Sequence, residues 1–145
     1  MAFWNKLNGN EKMVGYGAII ILVGWLLGIV TGGGFGASWS FVAAIIVLVV
    51  YYLKYSPTSN INWPVPVQTI VLVVAGLAAL GAILALLTAL SFLGFFAGFL
   101  IGYLLAVVVN AIGAVMMALY AWREYQAMPK AAPPAPPAPP APPAA

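Results

Sequence analysis

The chain has 145 residues, 65% of them hydrophobic and 5% charged, and five cations against two carboxylates leave a net charge of +3. Soluble domains carry about 25% charged residues, so the composition excludes an ordinary water-soluble globule, and so few cations exclude a phosphate-tracking nucleic-acid surface. The lack of Cys and His rules out disulfides and lipidated thiols and removes the usual side chains that hold zinc or haem.

Residues 1–12 read as a short cytoplasmic lead. Phe3, Trp4 and Leu7 suit a membrane interface, and Lys6 and Lys12 suit anionic headgroups, although two cations are too sparse for a polybasic lipid site. Asn8 and Glu11 have the N-x-x-E spacing of a helix cap. A first span is expected over 14–31, ended by Gly32, Gly33, Gly34 and Gly36. A secretory signal is the competing reading of this stretch, but its apolar run exceeds the usual h-region of about 7–15 residues.

A second span is expected over 38–54, entered at Trp39 and closed by Tyr51, Tyr52 and Lys54. Its Val and Ile are poor helix formers in water, but in lipid the backbone has no partner other than itself. Pro57, Pro64 and Pro66 forbid a regular helix through the following loop, and Trp63 marks the return to the interface. A third span is expected over 66–90 and a fourth over 93–122. The fourth would measure about 45 Å and must tilt or project into the cytoplasm. Pro129 stops it, and residues 131–145 contain only Ala and Pro, so this tail is polyproline II or disordered.

These elements predict an all-α fold: an integral membrane four-helix bundle over 13–128, with a disordered or polyproline II C-terminal tail over 129–145. Four crossings put Lys6, Glu11, Lys12, Lys54, Arg123, Glu124 and Lys130 on one side, and the positive-inside rule makes that side cytoplasmic. The expected location is the plasma (inner) membrane, both termini cytoplasmic. Trp4, Trp39, Tyr51, Tyr52, Trp63 and Trp122 are the expected interfacial anchors.

Small residues carry the packing pattern. The fourth span has Gly94, Gly98, Gly102, Ala106, Asn110, Ala114 and Ala118 at spacing four, and the first has Gly24, Gly28 and Gly32. Such stripes let two backbones approach closely, and the matched glycines place the meeting of these spans toward the outer leaflet. Each four-residue step falls short of a full rotation by about 40°, so no straight partner follows the whole stripe. Ala75, Ala78, Ala82, Ala85 and Ala89 alternate three and four apart, as in a coiled-coil seam. Packing inside one bundle is preferred over homo-oligomerisation. Phe92, Phe95, Phe96 and Phe99 share one face, read as packing rather than as a seat for a flat-ring ligand.

The spans contain no ionisable side chain of the kind that marks proton relays, and Asn110 is their strongest deep polar group. It is expected to hydrogen-bond another helix, an interaction of about 0.6–2 kcal/mol. No catalytic, cofactor-binding or metal-ligating constellation is read from the chain. The function expected is a non-catalytic membrane scaffold or accessory subunit of a larger membrane complex, not an enzyme. Its partners would be the lipid bilayer, other membrane subunits or further copies, and a cytoplasmic protein that reads polyproline; nucleic acid is not among them. An inert spacer is the plain reading of the tail. The alternatives are a small channel or transporter subunit whose pore forms between copies, and a quinone- or pigment-binding subunit.

Overall fold

The computed structural model of the chain describes residues 3–31, 38–58, 60–92, 100–129 and 135–144. A short 3-10 turn, Trp4–Lys6, precedes four helices: α1 (Gly9–Val30), α2 (Ser38–Tyr55), α3 (Val67–Ser91) and α4 (Leu100–Gln126). The fold is all-α, and among the described residues there is no strand. Residues 135–144 form neither helix nor strand and are exposed. Residues 93–99, where the fourth helix was expected to begin, lie outside the described residues.

Local chemistry sets the helix ends. Asn8 Oδ1 accepts from the Glu11 backbone N–H at 2.9 Å, and Glu11 Oε2 accepts from the Asn8 N–H at 3.0 Å. This reciprocal cap starts α1 at Gly9, earlier than apolar content alone implies. Pro66 is the N-cap of α3 rather than its first residue, and its carbonyl accepts from the Thr69 and Ile70 N–H groups. The α4 helix runs to Gln126, past the expected end at Trp122. Near the opposite ends, Thr31, Thr88 and Ser91 return their hydroxyls to the carbonyls of Leu27, Leu84 and Leu87 at 2.7–2.9 Å. A hydroxyl in apolar surroundings satisfies itself locally in this way.

The helices meet in a closed ring of neighbours: α1 with α2, α2 with α3, α3 with α4, and α4 with α1. Successive helices run antiparallel. Glu11 meets Lys54 at one end of the α1–α2 pair, while Trp25 stacks on Phe41 at 4.2 Å farther along. Ser40 Oγ reaches the Ala78 carbonyl at 3.3 Å across α2 and α3. The core is rich in alanines, among them Ala18, Ala43, Ala44, Ala75, Ala78, Ala82, Ala111 and Ala114, with Ile21, Tyr51 and Met117 as its larger members. Large apolar residues point outward: Leu26, Leu80, Ile112 and Leu119 are each more than half exposed. Small residues inside and large ones outside is the arrangement that close helix packing takes in a lipid solvent. Three helices, Gly9–Val30, Val67–Ser91 and Ile101–Gln126, are long and apolar enough to cross a membrane; α2 is the shorter one.

Candidate functional site

The described charged residues collect at one end of the bundle, where α1 begins and α2 and α4 finish. Glu11 occupies the first turn of α1, and its side chain is almost wholly buried. Its Oε1 lies 2.5 Å from Lys54 Nζ, and its Oε2 accepts the Tyr55 hydroxyl at 2.6 Å. With the Asn8 N–H, three donors converge on one carboxylate. An ionised carboxylate accepts bonds of this kind strongly, and its pairing here offsets the cost of removing it from water.

Asn8 carries the network across to α4. While its Oδ1 caps α1, its Nδ2 donates to Glu124 Oε1 at 2.8 Å, and Asn10 Nδ2 donates to Glu124 Oε2 at 3.3 Å. Lys6 Nζ donates to the Tyr55 carbonyl at 3.5 Å, tying the N-terminal turn to the end of α2. The result is a polar clasp joining three helices. Glu11 was legible as a cap; its role as the hub of the clasp was missed. The available signal was that four crossings bring Glu11, Lys54 and Tyr55 to the same end.

Beyond the clasp, α1 and α4 stay in close contact along their length. A Cβ placed on Gly17 would lie 2.8 Å from the Gly113 carbonyl oxygen and 2.8 Å from the Met117 nitrogen. A Cβ on Gly113 would lie 2.8 Å from the Gly17 oxygen. Farther along, a Cβ on Gly24 would come within 3.0 Å of the Asn110 nitrogen, and one on Gly102 would collide with the Thr31 side chain. Gly28 and Ala106 are buried, and Gly94 and Gly98 lie outside the described residues. Among the described residues, the closest approach of the two backbones is thus at Gly17 and Gly113, toward the charged end. Gly17 and Gly113 fall outside the four-residue stripes of α1 and α4. Gly17 and Gly24 are seven apart, two helical turns, and so share a face.

Asn110 departs from its expected role. It is 1% exposed, yet among the described residues neither its Oδ1 nor its Nδ2 has a hydrogen-bond partner. The small-residue setting that admits its backbone against Gly24 supplies no side-chain donor or acceptor. An unpaired buried amide costs about 1–3 kcal/mol. Asn110→Leu, branched at the same atom, should therefore leave stability unchanged or raise it by about 1 kcal/mol. Unfolding by titration with a denaturing detergent checks this; a marked loss would mean that the amide is bonded after all.

The expected anchors divide. Trp39, Tyr52 and Trp122 are exposed, and Trp122 stacks on Tyr125 at 5.9 Å. Trp63 is half-buried against the core. Trp4 folds back on α1, its ring over Gly15. Tyr51 is no anchor: it is 2% exposed, because α2 turns the face of Val47, Val50 and Tyr51 inward while Tyr52 points out. On the Phe face, Phe92 is exposed and caps α3, and Phe95, Phe96 and Phe99 lie outside the described residues. Comparison of the chain with protein-family profiles, curated proteins and solved structures finds no match.

Proposed function

We propose that the chain is a non-catalytic integral membrane scaffold or accessory subunit of a larger membrane complex. In this reading it crosses the bilayer four times with both termini in the cytoplasm. The observation that carries the reading is the clasp. The two carboxylates are engaged by side chains of the protein itself, which spends its polar groups on tying helix ends together. The outward faces present large apolar side chains to lipid or to neighbouring subunits. Beyond the bundle, the Ala/Pro composition of the tail suits polyproline II, which rises about 3.1 Å per residue and fits aromatic-lined grooves.

The orientation follows from the gathering of charge at the end where α1 begins and α4 finishes. The chain lacks Cys, so a single Ala145→Cys substitution gives an unambiguous probe. A membrane-impermeant maleimide should label it in inverted vesicles and not in intact cells; labelling of intact cells would reverse the orientation.

A gentle-detergent pull-down with the intact chain and with the chain ending at Lys130 tests the scaffold role. Truncation should leave helicity and thermal unfolding unchanged, since a segment of only Ala and Pro buries little surface. It should also remove any cytoplasmic partner while keeping membrane partners. Collapse of the bundle on truncation would make the tail a structural clamp, and ion conductance in reconstituted vesicles would favour a channel instead.

A further inference from the structure

We propose that the N-terminal turn, α1 and α2 together form a seat for one anionic phospholipid; this rests on the membrane reading above. The seat begins with the way the lead folds. Trp4 lies over Gly15, where a Cβ would come within 2.7 Å of its ring, and packs edge-on against Tyr16 at 5.3 Å. Phe3 packs edge-on against Tyr52 at 5.7 Å. Phe3, Trp4, Asn5, Tyr16, Ile19 and Leu48 then line a groove of about 530 Å³ on the outer surface of the bundle. Ligand sites commonly occupy roughly 300–1,000 Å³.

The lining is graded. Aromatic rings and the Asn5 amide lie at the charged end, and the aliphatic side chains Ile19 and Leu48 lie farther along the helices. Ile19 comes ten residues after Gly9, about 15 Å down α1. A soluble peptide cannot follow a lateral groove to that depth in a bilayer, whereas an acyl chain is already there. Depth therefore selects a lipid as occupant.

Charge selects the headgroup. Lys6 follows Asn5 directly, is exposed, and donates to the Tyr55 carbonyl, with no carboxylate in ion-pair range among the described residues. Lys12 stands one turn before Tyr16 on the same face of α1. Lys54 is neutralised by Glu11, and Glu124 is held by Asn8 and Asn10. Two cations outside any ion pair among the described residues are thus the chain neighbours of the groove's lining: Lys6 beside Asn5, and Lys12 one turn before Tyr16. They are too few for a diffuse polybasic surface, but they suit one phosphate whose acyl chain is already positioned. A net-negative headgroup gains from both cations; a zwitterionic one brings its own ammonium into their field.

Native mass spectrometry of the full chain, purified in mild detergent and exchanged against equal phosphatidylglycerol and phosphatidylcholine, tests the seat. One phosphatidylglycerol per chain should be retained in preference to phosphatidylcholine. Lys6→Gln and Lys12→Gln should each reduce that preference about fivefold, with helicity unchanged. Ile19→Trp should fill the groove and lower retention of both lipids, whereas Arg123→Gln on α4 should change nothing. Equal retention of the two lipids, or an Arg123→Gln effect as large as the lysine effects, would overturn the seat. So would a gain of bound lipid on truncation after Lys130, which would assign the groove to the tail. Failure of the chain to float with vesicles of either lipid would instead overturn the membrane reading.

Discussion

Glu11→Ala should destabilise the bundle by about 3 kcal/mol. Breaking a buried ion pair from one side costs roughly 3–5 kcal/mol, because the partner charge stays where water cannot reach it. Here the lower figure applies, since the Lys54 side chain is 24% exposed and part of its charge is already in water. The variant also strands the Tyr55 hydroxyl and the Asn8 N–H, which donate to the lost carboxylate. Lys54→Met should be at least as costly, since the carboxylate it abandons is 1% exposed. The double variant Glu11→Ala with Lys54→Met should lose less than the two single losses together, because it leaves no uncompensated charge. Denaturing-detergent titrations of the four proteins check the cycle. Losses that simply add would mean that the two groups do not depend on each other, and the clasp would be incidental.

The second large effect belongs to Gly17. Gly17→Ala should cost about 2 kcal/mol and Gly17→Leu should part α1 from α4. The atoms in the way are backbone: the Gly113 carbonyl and the Met117 nitrogen and Cα, at 2.8–3.0 Å from the added Cβ. A side chain can rotate aside, but a helix backbone can yield only by moving the whole helix, and overpacking of this kind costs about 1–3 kcal/mol for small groups. Gly76 is the internal control. It lies within α3 with nothing inside 4 Å of its added Cβ, so Gly76→Ala should be neutral or stabilise by up to about 1 kcal/mol. Matching effects at the two positions would show that contact with α4 does not govern the response at Gly17.

The glycines of this seam face the chain's own helix. Gly17 and Gly24 are spent on α4, and Gly113 on α1. On α4 the seam leaves the four-step stripe after Asn110 and continues through Gly113 and Met117, so its spacing becomes a mixture of three and four. That mixture averages close to the helical period, and it lets two antiparallel helices remain in contact where a strict four-step run would turn away.

What the sequence determined by itself was whatever depends on nearby residues or on total composition. Runs of apolar residues define four helices, because uninterrupted apolar backbone must bond to itself. The Asn8–Glu11 spacing defines a cap, because its two bonds close within one turn. The gathering of the described charged residues near a single end agrees with the count of apolar segments. Tertiary structure alone decided which partners those charges take. Glu11 and Lys54 are 43 residues apart and Asn8 and Glu124 are 116 apart, and no local rule selects one carboxylate for α2 and the other for the α1 cap. It also decided that Tyr51 turns inward, since in an apolar segment a helix shows no polar face from which its rotation can be read. The point of closest approach at Gly17 and Gly113 depends on how two helices cross in register, and the orphaned amide of Asn110 depends on what stands opposite it. Both are properties of a pair of helices, and a single helix does not encode its neighbour's register.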